Sequence, residues 1–194
     1  PVISSIDPSE ILSYSIYGEH LVIVKKDHSI VAVGYNGDGR ISSCLDKKMH
    51  KSLTKFVIKD KDGNHLIAHS AACCEFGTLY MLSKSGDNRC DKQLVLCDNK
   101  INGGKPVFLK IDDFQPVALF GGNYHSAAIG SEGEVIFINR FMVKKSPEAQ
   151  IKKIHIPDGE KAISVACCND SVFVLTSNGR VFSSPVDNKT DEVI

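Results

Sequence analysis

The chain has 194 residues, enough for one domain with a real core, and carries 23 basic against 23 acidic side chains. That balance argues against a dedicated nucleic-acid or anionic-membrane binder, which carries a basic excess. No apolar run approaches the roughly 18 residues that span a bilayer. The first seven residues hold neither a basic region nor a long apolar stretch, so no signal peptide is expected.

In chain order, residues 8–12 read as a short helical turn. Strands are expected at 13–17, 21–25 and 29–33, followed by a turn rich in Gly, Asn and Asp over 34–39. Leu21-Val22-Ile23-Val24 is continuously apolar, the pattern of a strand covered on both faces. Phe56-Val57-Ile58 reads as an outermost strand. Asp60-Lys61-Asp62-Gly63-Asn64 then reads as a tight turn, because Asp-Gly supplies the positive φ that hairpins need. Strands at 78–82 and 93–97 flank an insertion at 87–92. Further strands are expected at 126–130, 134–138, 171–175 and 180–183. Residues 147–151 suit one or two helical turns.

One strand–turn–strand unit recurs four times. Residues 17–34 align without a gap on 122–139, His20 on His125 and Val24 on Ile129; residues 73–86 and 167–182 are further copies. The turn positions are His28, Gly86, Gly133 and Gly179, in steps of 58, 47 and 46 residues. A period near 50 built from strands and turns indicates blades or a solenoid. The reading is a single repeat domain over 1–194, with repeats at about 13–60, 65–110, 111–157 and 158–194. Such a fold works by presenting surface rather than by housing one catalytic pocket, so no enzymatic activity is expected.

The chemical signals have structural explanations. Seven cysteines include two adjacent pairs, Cys73-Cys74 and Cys167-Cys168, and neighbours on a strand point to opposite faces. They are expected to be unbridged core thiols in a reducing compartment, cytoplasm or nucleus. Cys90 and Cys97 lack the spacing and the histidines of a zinc site. No metal and no cofactor is expected. Gly34-Tyr35-Asn36-Gly37-Asp38-Gly39 has the wrong glycine order for a dinucleotide loop, and no helix follows. A calcium loop centred on Gly63 would place Ile58 and His69 where carboxylates are required. His20 and His125 repeat in phase, as buried hydrogen-bonded blade residues do, and Ser126 beside His125 faces away from it. Lys47-Lys48-Met49-His50-Lys51 reads as a solvated basic cluster in an outer loop.

Val31-Ala32-Val33-Gly34-Tyr35-Asn36-Gly37-Asp38-Gly39-Arg40-Ile41 resembles the repeat of the regulator of chromosome condensation family. Gly34, Asn36 and Gly39 fall on its Gly-x-Asn-x-x-Gly, with Arg40-Ile41 at the following Gln-Leu. Gly122, His125, Ser126 and Gly133 fall on the other half of that repeat, and Gly86 and Gly179 on its turn glycine. The motifs are degenerate: Val33, Leu96, Ile138 and Ser184 stand where the family usually has Trp. The resemblance implies an all-β chain, a β-propeller of four-stranded blades around a central channel. About four blades fit here, where the family's propeller closes with seven. The chain is then part of a larger propeller, a small toroid or an open arc.

The function expected from this resemblance is a protein–protein interaction scaffold or adaptor. The alternative is a guanine-nucleotide exchange factor for a Ran-like small GTPase, as the family's founding member is. The turns after the second strand of each repeat should line one face, which puts Lys25, Lys26, Asp27, Lys84, Glu132 and Asn178 forward as partner-binding residues. The expected partners are a protein, a small GTPase in the exchange-factor reading, and a second copy or a longer chain completing the propeller. Neither nucleic acid nor membrane is expected.

Overall fold

The computed structural model describes residues 6–46, 48–84, 91–98, 105–139, 151–157 and 159–185. The first sheet holds β1 (Ile11–Tyr17), β2 (His20–Lys25), β3 (Ile30–Tyr35) and β4 (Met49–Phe56). The second holds β5 (Leu66–Cys74), β6 (Gly77–Lys84), β7 (Gln93–Asp98) and β8 (Val107–Leu109). The third holds β9 (Pro116–Gly121), β10 (His125–Gly130), β11 (Val135–Asn139) and β12 (Ile151–Ile154). The fourth holds β13 (Ala162–Cys167), β14 (Ser171–Thr176) and β15 (Val181–Pro185). Every sheet is an antiparallel meander in chain order, so each is one blade. The only helical elements among the described residues are single 3-10 turns at Pro8–Glu10 and Gly37–Gly39.

Alternation along the strands explains how the blades stack. Neighbouring residues point to opposite faces, so a middle blade must be apolar on both. Val22, Val24, Ile30 and Ala32 of the first blade pack on Ala71, Cys73, Tyr80 and Leu82 of the second. The other face of the second blade, with Ala72, Leu79 and Leu96, packs on Ala128, Ile136 and Ile138 of the third. Ala127, Val135 and Phe137 then turn to Val165, Val172 and Val174 of the fourth. Burying each larger side chain in these layers stabilises the fold by about 1.5–3 kcal/mol. The inner strands β1, β5, β9 and β13 succeed one another along this stack. Their backbones crowd where β9 ends: a Cβ on Gly121 would sit 2.2 Å from the Cys73 carbonyl oxygen, and one on Gly122 2.2 Å from that of Cys167.

The two end blades each turn an apolar face outward. Tyr14 (68 % exposed) and Ile16 (64 %) lie on the outer face of the first, Ile163 (58 %) and Val181 (64 %) on the fourth. Leu21-Val22-Ile23-Val24 is therefore covered by a neighbouring blade on one side only. Val22 and Val24 face the second blade, while Ile23 is shielded within its own sheet, paired with Tyr14.

Some local expectations are corrected. The outermost strand of the first blade is β4, and of Phe56-Val57-Ile58 only Phe56 belongs to it. Met49, His50 and Lys51 lie in this strand rather than in a loop. An outermost strand is half solvated, so its composition is polar and hides its conformation. Ile58 is buried, but in the connection to the second blade, where it accepts a hydrogen bond from the Leu66 amide at 3.0 Å. At the N-terminal end Asp7 caps the 3-10 turn through Ser9 N at 2.8 Å, and Ile11 and Leu12 already belong to β1. The expected turn at 147–150 and the insertion at 87–90 lie outside the described residues. Six cysteines are free thiols: Cys73, Cys74 and Cys97 are buried and Cys167 half-buried, but Cys44 and Cys168 are exposed, which corrects their assignment to the core. Cys90 lies outside the described residues.

Candidate protein-binding surfaces at the two ends of the blades

The turns after the second strand of each blade share one geometry. Lys25, Gly130 and Thr176 each donate from N to the carbonyl four residues on, at 2.9 Å in every case. His28, Gly133 and Gly179 donate back to the same three residues and all have positive φ, 62°, 84° and 76°. Glycine takes that conformation freely. His28 is held there by its Nδ1 contact with the Ala68 carbonyl at 2.8 Å, across to the second blade. The equivalent Gly86 lies outside the described residues.

These turns stand at one end of the blades and carry the six expected partner-binding residues, one group per blade. Lys25 and Asp27 interact within their own turn, and no hydrogen bond or ion pair among the described residues joins the group of one blade to that of another. The Lys25 ammonium pairs with Glu10 at 2.8 Å. Asp27 Oδ1 accepts from Ser29 N at 3.0 Å and Ser29 Oγ at 2.6 Å, bonds that hold its carboxyl below the usual carboxylate range. Glu132 pairs with Lys161 at 3.3 Å. Lys26, Lys84 and Asn178 are exposed. Lys84 also lines a crevice of about 590 Å³ between the second and third blades, with Leu94, Phe108 and Phe114 at its apolar side.

The repeat residues hold the opposite end. Asn36 is a hub: its amide donates to the Ser42 and Leu45 carbonyls at 3.0 and 3.3 Å and accepts from the Ile41 and Ser42 amides at 2.9 and 3.1 Å. Gly34 and Gly39 flank it at the end of β3 and in the 3-10 turn. His20 and His125 are buried. His125 Nε2 lies 3.0 Å from the Asn169 carbonyl of the fourth blade. His20 Nε2 lies 3.5 Å from Thr78 Oγ1 of the second. Burial, then the nearby Arg40 charge, depresses His20 to about 4. Burial also depresses His125, against the opposing pull of the Asn169 carbonyl and Asp170. Both sit between blades, His20 against the second and His125 against the fourth.

At this opposite end the inner hairpins close in four two-residue turns: Gly18-Glu19, Glu75-Phe76, Asn123-Tyr124 and Asn169-Asp170. Their side chains converge. Tyr17 donates its hydroxyl hydrogen bond to Asn123 Oδ1, and Asn123 Nδ2 donates to Asn169 Oδ1 at 2.5 Å. The Glu75 amide donates to the Asn123 carbonyl at 2.8 Å. Phe76 and Tyr124 stack, centroids 5.7 Å apart and planes 21° from parallel. Burial first, and then the Glu75 carboxylate, raises the Tyr17 hydroxyl. Four blades thus contribute to one continuous patch near the inner strands. Sequence reading missed it, because each turn alone is an unexceptional dipeptide. The signal was the in-phase pair His20 and His125, which marks the residue following the turn.

No family model matches the chain, and no curated protein matches it. Solved structures do. Human WBSCR16 is 14 % identical with a TM-score of 0.71, over 93 % of this chain and 49 % of that one. Prp20p from Saccharomyces cerevisiae is 11 % identical with a TM-score of 0.63, over 86 % and 41 %. The computationally designed Ika4 protein is 12 % identical with a TM-score of 0.53, over 94 % and 95 %. The chain spans about half the length of the WBSCR16 chain and less of Prp20p. Meandering blades of three or four described strands, stacked along their inner strands and superposable on Prp20p, give this chain the β-propeller fold of the regulator of chromosome condensation type.

Proposed function

We infer that the chain is a non-catalytic protein-interaction scaffold that recruits a partner through an end of its blades. The observation that carries this reading is the patch built from Tyr17, Phe76, Asn123, Tyr124 and Asn169, which four separate blades contribute to one surface. Stacked blades fix such turns relative to one another, so little ordering cost remains when a partner docks. The sets of turn residues differ from blade to blade at both ends, which suits an asymmetric protein partner. Cytoplasm or nucleus is the compartment consistent with free thiols.

A second reading, exchange factor for a Ran-like small GTPase, is favoured by the likeness to Prp20p, whose structure is described with its binding to Gsp1p and histones. Exchange needs no covalent chemistry, only tighter binding to the nucleotide-free GTPase. The test is capture of partners from native cytosol by the chain, followed by a nucleotide-release assay on any small GTPase recovered. The scaffold reading expects a captured protein and unchanged nucleotide release. Accelerated release moves the assignment to the exchange factor, and absence of any partner overturns both.

A further inference from the structure

We propose that a second copy of this chain stacks on the two outward blade faces, the fourth blade of one copy on the first blade of the other, so that two copies close one ring of blades. These faces are separate from the strand ends that the scaffold reading uses. Counted from the residues that close each inner hairpin, Tyr14 and Ile16 of β1 hold the positions of Ala71 and Cys73 of β5. Ala71 and Cys73 are buried against the first blade, whereas Tyr14 and Ile16 are mostly exposed. At the other end of the stack Phe173 of β14 holds the position of Val22 and Leu79, and Val181 of β15 that of Ile30. Val22, Leu79 and Ile30 are buried by the blade that follows, whereas Phe173 and Val181 are exposed. Each outward face is thus the counterpart of a surface that a neighbouring blade covers inside the chain, and the new contact continues that stacking.

The two faces also suit each other. Inside the chain, Ala72 of the second blade packs in one cluster with Leu119 of the third, a small inner-strand side chain meeting a large one. Across the two outward faces the equivalent positions hold Ala166 on the fourth blade and Tyr14 on the first. Two first blades, each bearing Tyr14 and Ile16, have no such small residue to offer one another. Lys55, paired with Val31 in the outermost strand of the first blade, gives this face the polar rim that interfaces between soluble proteins carry. Exposed apolar side chains at both ends of a repeat stack favour association. The contact is heterologous, since a first blade meets a fourth, so it closes a ring or runs on into a filament. This chain matches 49 % of the WBSCR16 chain, so two copies carry about the length of one such chain. In a ring of two, the second contact is intramolecular once the first has formed.

The test is sedimentation equilibrium of the full 194-residue chain across the micromolar range. The expected mass is twice 21.2 kDa, without larger species. Ile16→Glu and Val181→Glu each place a carboxylate on one exposed face. Each alone should give a monomer of 21.2 kDa, because every contact in the ring uses both faces. An equimolar mixture of the two variants should recover a two-copy species, since the fourth blade of Ile16→Glu and the first blade of Val181→Glu are both unaltered. With one contact instead of two, that pair should be weaker than the wild type by about tenfold or more. Circular dichroism and urea midpoints report whether each variant folds, and the wild-type mass decides the first point without either. A monomeric wild type overturns the proposal and leaves the faces to blades of a different polypeptide. A species that grows beyond two copies with concentration overturns the closed ring. Dissociation by only one of the two substitutions, or no pair in the mixture, overturns the pairing of unlike faces. A wild-type pair that survives both substitutions puts the contact elsewhere and overturns the proposal as well.

Discussion

Tyr17 closes the first blade's inner hairpin, yet its hydroxyl bonds to Asn123, 106 positions further along the chain and two blades away. The bond ties together turns that no local propensity relates. Tyr17→Phe removes the donor and keeps the ring. The expected loss of stability is about 1 kcal/mol, the net value of a partly buried hydrogen bond. Urea unfolding measures it, and in an Asn123→Ala background the same substitution should cost much less.

The crowded inner strands give a sharper contrast. In Gly121→Ala and Gly122→Ala the new methyl would lie 2.2 Å from a carbonyl oxygen of the neighbouring blade. Backbone cannot yield as a flexible side chain can, so each should destabilise by about 2 kcal/mol or more. Gly63→Ala is the control. It meets nothing within 4 Å and only forces alanine to a φ of 84°, at a cost of about 1 kcal/mol. Equal urea midpoints for all three variants would contradict the close approach of blades.

Thiol reactivity should separate two classes. Cys44 and Cys168 are exposed and should be alkylated quickly in the native protein. Cys73, Cys74 and Cys97 are buried and should react only after denaturation. Burial pushes the Cys73 thiol up to about 12, against hydrogen bonds with Ser15 and Thr78, and so removes the reactive thiolate at neutral pH. Peptide mapping by mass spectrometry with and without denaturant checks the assignment residue by residue.

The blades were legible because their constraints are local and recur. The turn after each second strand demands a positive φ, and glycine returns to it at Gly133 and Gly179; even His28 could be placed there by phase alone. Strands covered on both faces, such as Leu79-Tyr80-Met81-Leu82, advertise themselves as apolar runs. The outermost strand β4 does not, since exposed positions such as Lys51 and Ser52 give it the composition of a loop. The ring and carboxylate patch was illegible for another reason. Its members, Tyr17, Glu75, Phe76, Asn123, Tyr124 and Asn169, are spread over more than 150 positions, and only the stacking of blades makes them neighbours. The face singled out by phase carries Lys25 and Glu132, whose internal ion pairs appear only in three dimensions.

Buried histidines make stability fall on the acid side of neutrality. His20 has an ordinary value of 6.5 and is depressed to about 4 in the folded chain, by burial and then by Arg40. Its folded value lies below its unfolded one, so between these limits the unfolded chain binds the proton more readily. Stability is therefore fully present above pH 6.5 and is lost progressively as pH falls toward 4. The shift corresponds to about 3 kcal/mol at most. His125 and His69 are depressed by burial in the same direction and should add to the fall. Urea midpoints taken across pH 7 to 4 should decrease steadily in the wild type. His20→Gln keeps a polar side chain beside Thr78 and removes the titration, so its midpoint should fall less steeply over that range. Parallel pH profiles for the two proteins would mean that His20 takes up its proton in the folded blade as easily as in water, contrary to its burial between the first and second blades.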